Sequence, residues 1–537
     1  MLSAQTLKIT EGNITYLFPA SQAGTMPYEN GSSLTVMGKT FSLSEVTMAV
    51  DETTVTDSRV EVVYSGTSAA ITVAGNIARY LTIQQSGAHV SIVQSSEVAQ
   101  EITYSLSGAS TNGEFYHEGS YKATVELNGL TLTNSTPVYS GAAVHIQNGK
   151  RINVKVITGT TSTLVDAASG AQSACLYIKG HAEFKQYGTL NITGKKDHGI
   201  KAGDYLTIKN ATINVLSSVG DGINCNEYFL IQSGSVTITN AKDDGIQCDI
   251  DDETTGSTGE TTDHEDEDSG NMYILGGSIH IESSDEGISA MGSLSISGGN
   301  VYVKAADDAI NSGVSQTGLG DMTISGGFVY AYSTGNDGID ANGNCYIQGG
   351  VIFAIGASSP EMAIDANSEK NKKLYITGGT IIAVGSLENG ASISGGTAKQ
   401  TTSWTANQWY ALYDGGTLVA AFYTPTKSSG GGGRPAPPKH APDGFMPAPP
   451  PTFHPDSKMP APFWGPGPGG GGGGSQALIV FTAGTPTLTS NVTVSEGTEI
   501  FKDVLYSPAT VSGGSSVSLS DYSGGSGGPG GGGGNWW

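Results

Sequence analysis

Basic residues are scarce: Lys and Arg number 25 against 49 Asp and Glu, for a formal net charge of −24. Nucleic acids and anionic membranes are recognised through dense Lys and Arg footprints, so neither is an expected partner, whereas cations and sugars are. No apolar run approaches the roughly 18 residues of a membrane-crossing helix. Residues 1–20 also lack the basic start and apolar stretch of an export signal. The expected location is extracellular or at the cell surface, with any such signal already removed. The four cysteines, Cys175, Cys225, Cys248 and Cys345, include no CxxC pair, which removes the usual zinc spacing. Only 14% of residues are charged, while 78 of 537 are Gly. That balance disfavours helix interiors and points to strands and turns.

What is present is a repeat. DHGIKA, DGINC, DGIQC, EGISA, DAINS, DGIDA and MAIDA recur between residues 197 and 366. Their isoleucines, Ile200, Ile223, Ile246, Ile288, Ile310, Ile339 and Ile364, lie 22 or 23 residues apart except where insertions intervene. Between copies runs a second phrase, such as LSISGGNVYV or LYITGGTIIA, which reads strand, Gly turn, strand. Alternation sends Ile208, Ile231, Ile274, Ile296, Ile324, Ile347 and Ile376 inward, and likewise Ile213, Val236, Ile279, Val301, Val329, Ile352 and Ile381. Stacked about 4.8 Å apart, they make aliphatic ladders. The expected fold is an all-β, single-stranded parallel β-helix with β caps. Cys225, Cys248 and Cys345 fall at inward positions of this register and are read as buried thiols.

The expected division is an N-terminal cap over 1–59, the helix over 60–400 and a C-terminal cap over 401–427 and 476–520. That cap is interrupted by a Pro/Gly-rich insert at 428–475 and followed by a Gly-rich tail at 521–537. Insert and tail read either as flexible linkers or as polyproline II segments held by contacts, with Trp536 and Trp537 as an anchor for a neighbour.

Alignment on the phrase Ile produces acidic columns. His198, Asp221, Asp244, Glu286, Asp308, Asp337 and Met362 stand two residues before it, and Asp197, Asp243, Asp285 and Asp307 one residue earlier. Asp340 and Asp365 follow it directly. Stacked carboxylates at that spacing repel by about 1 kcal/mol per pair in water, and a cation reverses the sign. Calcium takes six to eight oxygen ligands in irregular geometry, so several Ca2+ ions are expected on Asp197, Asp221, Asp243, Asp244, Asp285, Glu286, Asp307, Asp308, Asp337, Asp340 and Asp365. The alternative is a solvated acidic edge. The Gly before the Ile, at Gly199, Gly222, Gly245, Gly287 and Gly338, is expected to serve a turn. The run from Asp249 to Gly270 lacks the EF-hand pattern and reads as a solvated or weakly calcium-ordered loop.

The DGI phrase, strand, GG turn and strand, with NGLTLTN and GTLNITG upstream, resemble a family of bacterial carbohydrate-binding, pectate-lyase-like β-helix proteins over roughly residues 50–425. The resemblance implies an extracellular protein that carries calcium between its coils and binds acidic polysaccharide, such as polygalacturonate, without cleaving it. It carries the calcium role onto Asp221, Asp243, Asp244, Asp285, Glu286, Asp307, Asp308, Asp337 and Asp340. His198 and Met362 depart from the acidic pattern. The first functional expectation is therefore a non-catalytic, calcium-bridged binder of acidic polysaccharide, with the outward ladder His280, Tyr302, Tyr330 and Phe353 as a sugar platform or simply a stabilising stack. A second is a self-assembling subunit of an extracellular fibre. A third is an enzyme: a lyase, which needs an Arg or Lys base where the outward column offers only Lys201, or a polygalacturonase using Asp221, Asp243, Asp244 and His198. A catalytic group should be unique, whereas these recur in repeat after repeat.

Overall fold

The computed structural model describes residues 5–250, 267–283, 285–315, 318–427 and 476–524. The Pro/Gly insert at 428–475, Trp536, Trp537 and most of the acidic run after Asp249 lie outside the described residues. The aliphatic periodicity becomes parallel pairing. Strands from Leu206–Ile208 through Tyr228–Ile231 and Asn271–Ile274 to Leu374–Ile376 hydrogen-bond in sequence, with Ile208, Ile231, Ile274, Ile296, Ile324, Ile347 and Ile376 in register. A second row, from Thr212–Ser217 to Thr380–Gly385, aligns Ile213, Val236, Ile279, Val301, Val329, Ile352 and Ile381. A third aligns the phrase isoleucines from Ile200 to Ile339. All of these side chains are buried in one continuous core. Each such Ile contributes about 1.5–3 kcal/mol of burial.

The expected single-stranded parallel β-helix with separate caps is corrected by the strand pairing. The protein is all-β with several sheets: a 29-stranded mixed sheet, an 11-stranded sheet and smaller sheets of six, three and two strands. One reason is strand length. Ala123–Thr133 pairs through Ala123 to Leu127 with Ile152–Val156 and through Thr131 to Thr133 with Thr161–Val165, which joins two rows into one sheet. The other is antiparallel closure. Thr6–Glu11 pairs antiparallel with Ile14–Pro19 and Val46–Asp51 at one end, while Ala477–Thr482 pairs antiparallel with Thr380–Gly385 and Thr397–Thr401 at the other. These additions occupy edges that would otherwise present unpaired N–H and C=O groups.

The glycines divide into two kinds. At the second position of the GG turn, Gly277, Gly299, Gly327, Gly350 and Gly379 have φ between 81° and 88° and Gly234 has 95°, while in the copy before that the left-handed residue is Asn210, one position earlier in the turn, at 70°. The glycine of the DGI phrase serves a different purpose from the turn expected for it, because none of the five has positive φ. It admits the next repeat: a Cβ on Gly287 would stand 2.0 Å from Val303 Cγ1 and 2.5 Å from the Ala309 carbonyl oxygen. Ala309 and Ala363 fill the same column in other copies and are fully buried, so the close approach is a property of the individual repeat. The four cysteines are free and buried.

A six-stranded antiparallel sheet includes Trp409–Asp414, Thr417–Tyr423, Pro486–Ser490 and Leu505–Ser512. It builds a second core with Phe353, Ile382 and Val384 through Tyr410, Leu412 and Phe422.

Gly287→Ala is predicted to cost about 1–3 kcal/mol through overpacking, since both the Val303 side chain and the Ala309 backbone must shift. Thermal unfolding followed by circular dichroism reads the loss. An unchanged midpoint contradicts the close approach.

Candidate functional site

Most of the acidic residues occupy the connections that lead from the second row of the large sheet into the 11-stranded sheet, while Asp340 lies in the strand Ile339–Ala341 that follows and Asp365 just after Ile364, which bridges to Ile339. Asp221 stands between Thr212–Ser217 and Ile223–Cys225, Asp243 and Asp244 between Ser235–Ala241 and Ile246–Cys248, and Asp285 and Glu286 between Ser278–Ser283 and Ile288–Ala290. Parallel pairing continues through these connections: the Gly222 amide donates to the Asp244 carbonyl at 2.9 Å and the Gly245 amide to the Glu286 carbonyl at 3.0 Å. Equivalent carboxylates are thereby superimposed.

Each short Asp side chain then performs a local task. Asp221 Oδ1 accepts from the Asp244 amide at 3.1 Å, Asp244 Oδ1 from the Glu286 amide at 3.1 Å, and Asp308 Oδ1 from the Asp337 amide at 2.9 Å. Asp337 accepts from the Met362 amide in the same way. Asp221, Asp244, Asp308 and Asp337 are all buried, so part of the column binds backbone rather than projecting into water.

One oxygen of each remains for other partners. Among the described residues, Asp221, Asp243 and Asp244 bring carboxylate oxygens within 4.8 Å of one another, as do Asp244, Asp285 and Glu286, and Asp337, Asp340 and Asp365. Asp244 belongs to two of these triplets. Asp197, Asp307 and Asp308 join none of them, although Asp340 acts on Asp308 and Asp307 acts on Asp340.

Crowding shows in the ionisation. Burial, then Glu286, drives Asp244 far above the carboxylate range, and burial, then Glu388, does the same for Asp365. Burial and neighbouring carboxylates push Asp340 up to about 6. Asp337 reaches about 7, where burial outweighs the Met362 amide bond. Asp221 is the exception: burial acts upward, but the hydrogen bond and charge of His198 and the Asn224 amide at 2.9 Å hold it below its ordinary value. His198 Nδ1 lies 3.2 Å from Asp221 Oδ2 and accepts from the Asp221 amide at 3.1 Å, so the histidine that interrupts the acidic column packs directly on its first member. Burial and neighbouring carboxylates thus favour the neutral form of Asp244, Asp308, Asp337, Asp340 and Asp365.

Sequence reasoning missed two features. Asp249, pushed up to about 6 by burial and then by Asp221, extends the acidic neighbourhood into the 11-stranded sheet's far connection. His181, Asp204 and Glu227 form a further group, with the imidazole 3.5 Å from each carboxylate. Their signal was the 23-residue spacing from 181 to 204 to 227, which matches the isoleucine period without repeating a residue type.

The aromatic ladder exists but is not an open platform. His280 stacks on Tyr302 at 4.3 Å and 8°, and Tyr302 on Tyr330 at 4.8 Å and 22°. Phe353 is fully buried against Phe422, and Tyr330 is 6% exposed beside Phe501, because the six-stranded sheet covers them. Only His280 and Tyr302 reach solvent.

A solved structure described as the polysaccharide lyase-like protein from C. thermocellum, a gadolinium derivative, is similar at 20% identity with a TM-score of 0.37, covering 54% of this chain and 96% of that one. No curated protein matches the sequence. The family described as carbohydrate-binding domain-containing protein matches residues 86–359 and 261–403. These residues make up more than half of the chain, which belongs to the carbohydrate-binding domain-containing protein family.

Proposed function

We propose that the protein is a non-catalytic, extracellular carbohydrate-binding protein that holds calcium on its acidic edge and takes acidic polysaccharide as its ligand. Family membership supports the carbohydrate role. The observation that carries the cation is the set of three carboxylate triplets, two of them sharing Asp244. The donors fit a hard ion: every one is a carboxylate oxygen, and none of the three triplets contains the sulfur or imidazole that would favour zinc. Backbone carbonyls and water would complete a shell of six to eight oxygens. The cation supplies the positive charge that lets buried, mutually repelling carboxyl groups ionise together. The reading as non-catalytic rests on the same repetition. Carboxylates such as Asp244 and Asp337 recur in equivalent places, and each already accepts a backbone amide.

Stability should depend on pH more steeply without calcium than with it. Asp337, Asp340 and Asp249 have folded-state values raised to about 7, 6 and 6. In metal-free protein their stabilising contribution is complete below about pH 4, the unfolded value, and is lost as pH rises through 6 to 7. The metal-free melting temperature should therefore fall between pH 5 and 8. Calcium at about a hundred times its Kd adds about 2.7 kcal/mol per site and should restore it by about 5 °C or more at pH 8, with a smaller gain at pH 5, where protons compete. Identical melting in chelator and in millimolar calcium at pH 8 contradicts the cation.

Asp243→Asn with Asp244→Asn keeps the side-chain shape and an oxygen for the Glu286 amide while removing two charges. Metal-free stability should rise, and calorimetry should show weaker calcium binding. Unchanged calcium affinity would remove Asp243 and Asp244 from the ligand set. Incubation with polygalacturonate should give a retained complex on affinity electrophoresis and no unsaturated uronide at any pH. Release of that product at enzyme-like turnover reassigns the protein as a lyase.

A further inference from the structure

The opposite connections, which lead from the 11-stranded sheet back into the large sheet, carry a different chemistry. The turns before Ala123–Thr133, Ile152–Val156, Ala182–Lys185 and Leu206–Ile208 are consecutive equivalents. Together they enclose a cavity of about 430 Å3 whose lining includes Tyr121, Lys122, Lys150, Arg151, His181 and Tyr205. That volume lies within the ordinary range for small-molecule sites. Three basic side chains converge here, in a chain with only 25 Lys and Arg in 537 residues, and no carboxylate lines the cavity.

The lining is arranged in advance. Arg151 Nε donates to the Tyr205 hydroxyl at 3.3 Å and lies 3.3 Å from Glu183 Oε1, which fixes the guanidinium. Tyr205 is itself clamped between His181, at 4.3 Å, and Tyr228, stacked at 4.8 Å. His181 is held in turn by Asp204 and Glu227. Lys122 and Lys150 are exposed and pair with no carboxylate among the described residues. The cavity thus joins a fixed aromatic wall and an oriented guanidinium to two exposed ammonium groups with no carboxylate partner among the described residues.

We infer that this turn cavity is the docking subsite for the carboxylate groups of an acidic saccharide, with Lys122, Lys150 and Arg151 as its charge partners and Tyr121, His181 and Tyr205 as its wall. The inference rests on the carbohydrate-binding reading and names the place and charge of its ligand. Successive turns stand about 4.8 Å apart along the pairing direction, which favours an extended polymer over a single compact anion. A net charge of −24 repels a polyuronate at long range, but a Debye length of about 8 Å leaves the cavity's own charges dominant at contact.

Calorimetry in millimolar calcium tests this with a galacturonate hexamer and a neutral hexasaccharide as probes. The wild type should bind the uronate and not the neutral sugar. Lys122→Glu with Lys150→Glu should weaken uronate binding tenfold or more, and Lys122→Ala with Lys150→Ala should weaken it less, both with unchanged melting temperature. Lys370→Glu with Lys373→Glu, an exposed pair outside the cavity that makes the same charge change, should bind the uronate like the wild type. Wild-type affinity in the folded Lys122→Glu, Lys150→Glu variant overturns the site, as does an equal loss in the Lys370→Glu, Lys373→Glu variant, which would assign the effect to net charge. Binding of the neutral sugar only overturns the acidic subsite and spares the carbohydrate reading. Binding of neither sugar removes both.

Discussion

In-register parallel pairing is the constraint on which the rest depends, because it sets each side chain directly over its counterpart in the next repeat. For isoleucine the result is favourable: Ile208, Ile231, Ile274 and their successors form a dry ladder in which every side chain has a neighbour above and below. The same geometry applied to aspartate superimposes like charges. Asp221, Asp244 and Glu286 follow one another through shared backbone and side-chain hydrogen bonds, so the fold itself draws the carboxylates together. The amide bonds offset part of the repulsion. The rest appears as carboxyl groups held protonated by burial and by one another, or as the proposed cation.

The ladders and the GG turns were legible in the sequence because they depend on local alternation and on a period that repeats residue types. The sheet organisation was not. Joining of two rows by Ala123–Thr133 depends on the length of one strand, and the pairing of Ile381 with Phe481 crosses the Pro/Gly insert. Covering of Phe353 by Phe422 is a tertiary contact that no period encodes. The DGI glycines were visible, but their reason was not: it lies in the Val303 and Ala309 atoms of the next repeat. The acidic columns were legible residue by residue, while the division between triplet members and Asp197, Asp307 and Asp308 needed three-dimensional placement.

Charge is sorted by which set of connections a residue occupies. Those entering the 11-stranded sheet carry the carboxylate triplets, and those leaving it carry Lys122, Lys150 and Arg151 around an aromatic wall. Asp204 and Glu227 continue the leaving side but are turned to His181, and Glu183 is committed to Arg151 and Lys185. One repeating backbone therefore presents two edges of opposite local character. Under the proposed function, this sorting would let an acidic protein offer a polyanion a confined basic contact while the proposed cation offsets its anionic edge.

The central claim is that superimposed carboxylates are a cation site rather than a solvated edge. Anomalous diffraction from crystals grown in calcium tests it most directly. The account predicts anomalous peaks within bonding distance of the Asp221, Asp243 and Asp244 carboxylates, of the Asp244, Asp285 and Glu286 carboxylates, and of the Asp337, Asp340 and Asp365 carboxylates. Density showing only water beside these oxygens at millimolar calcium and pH 8 would contradict it.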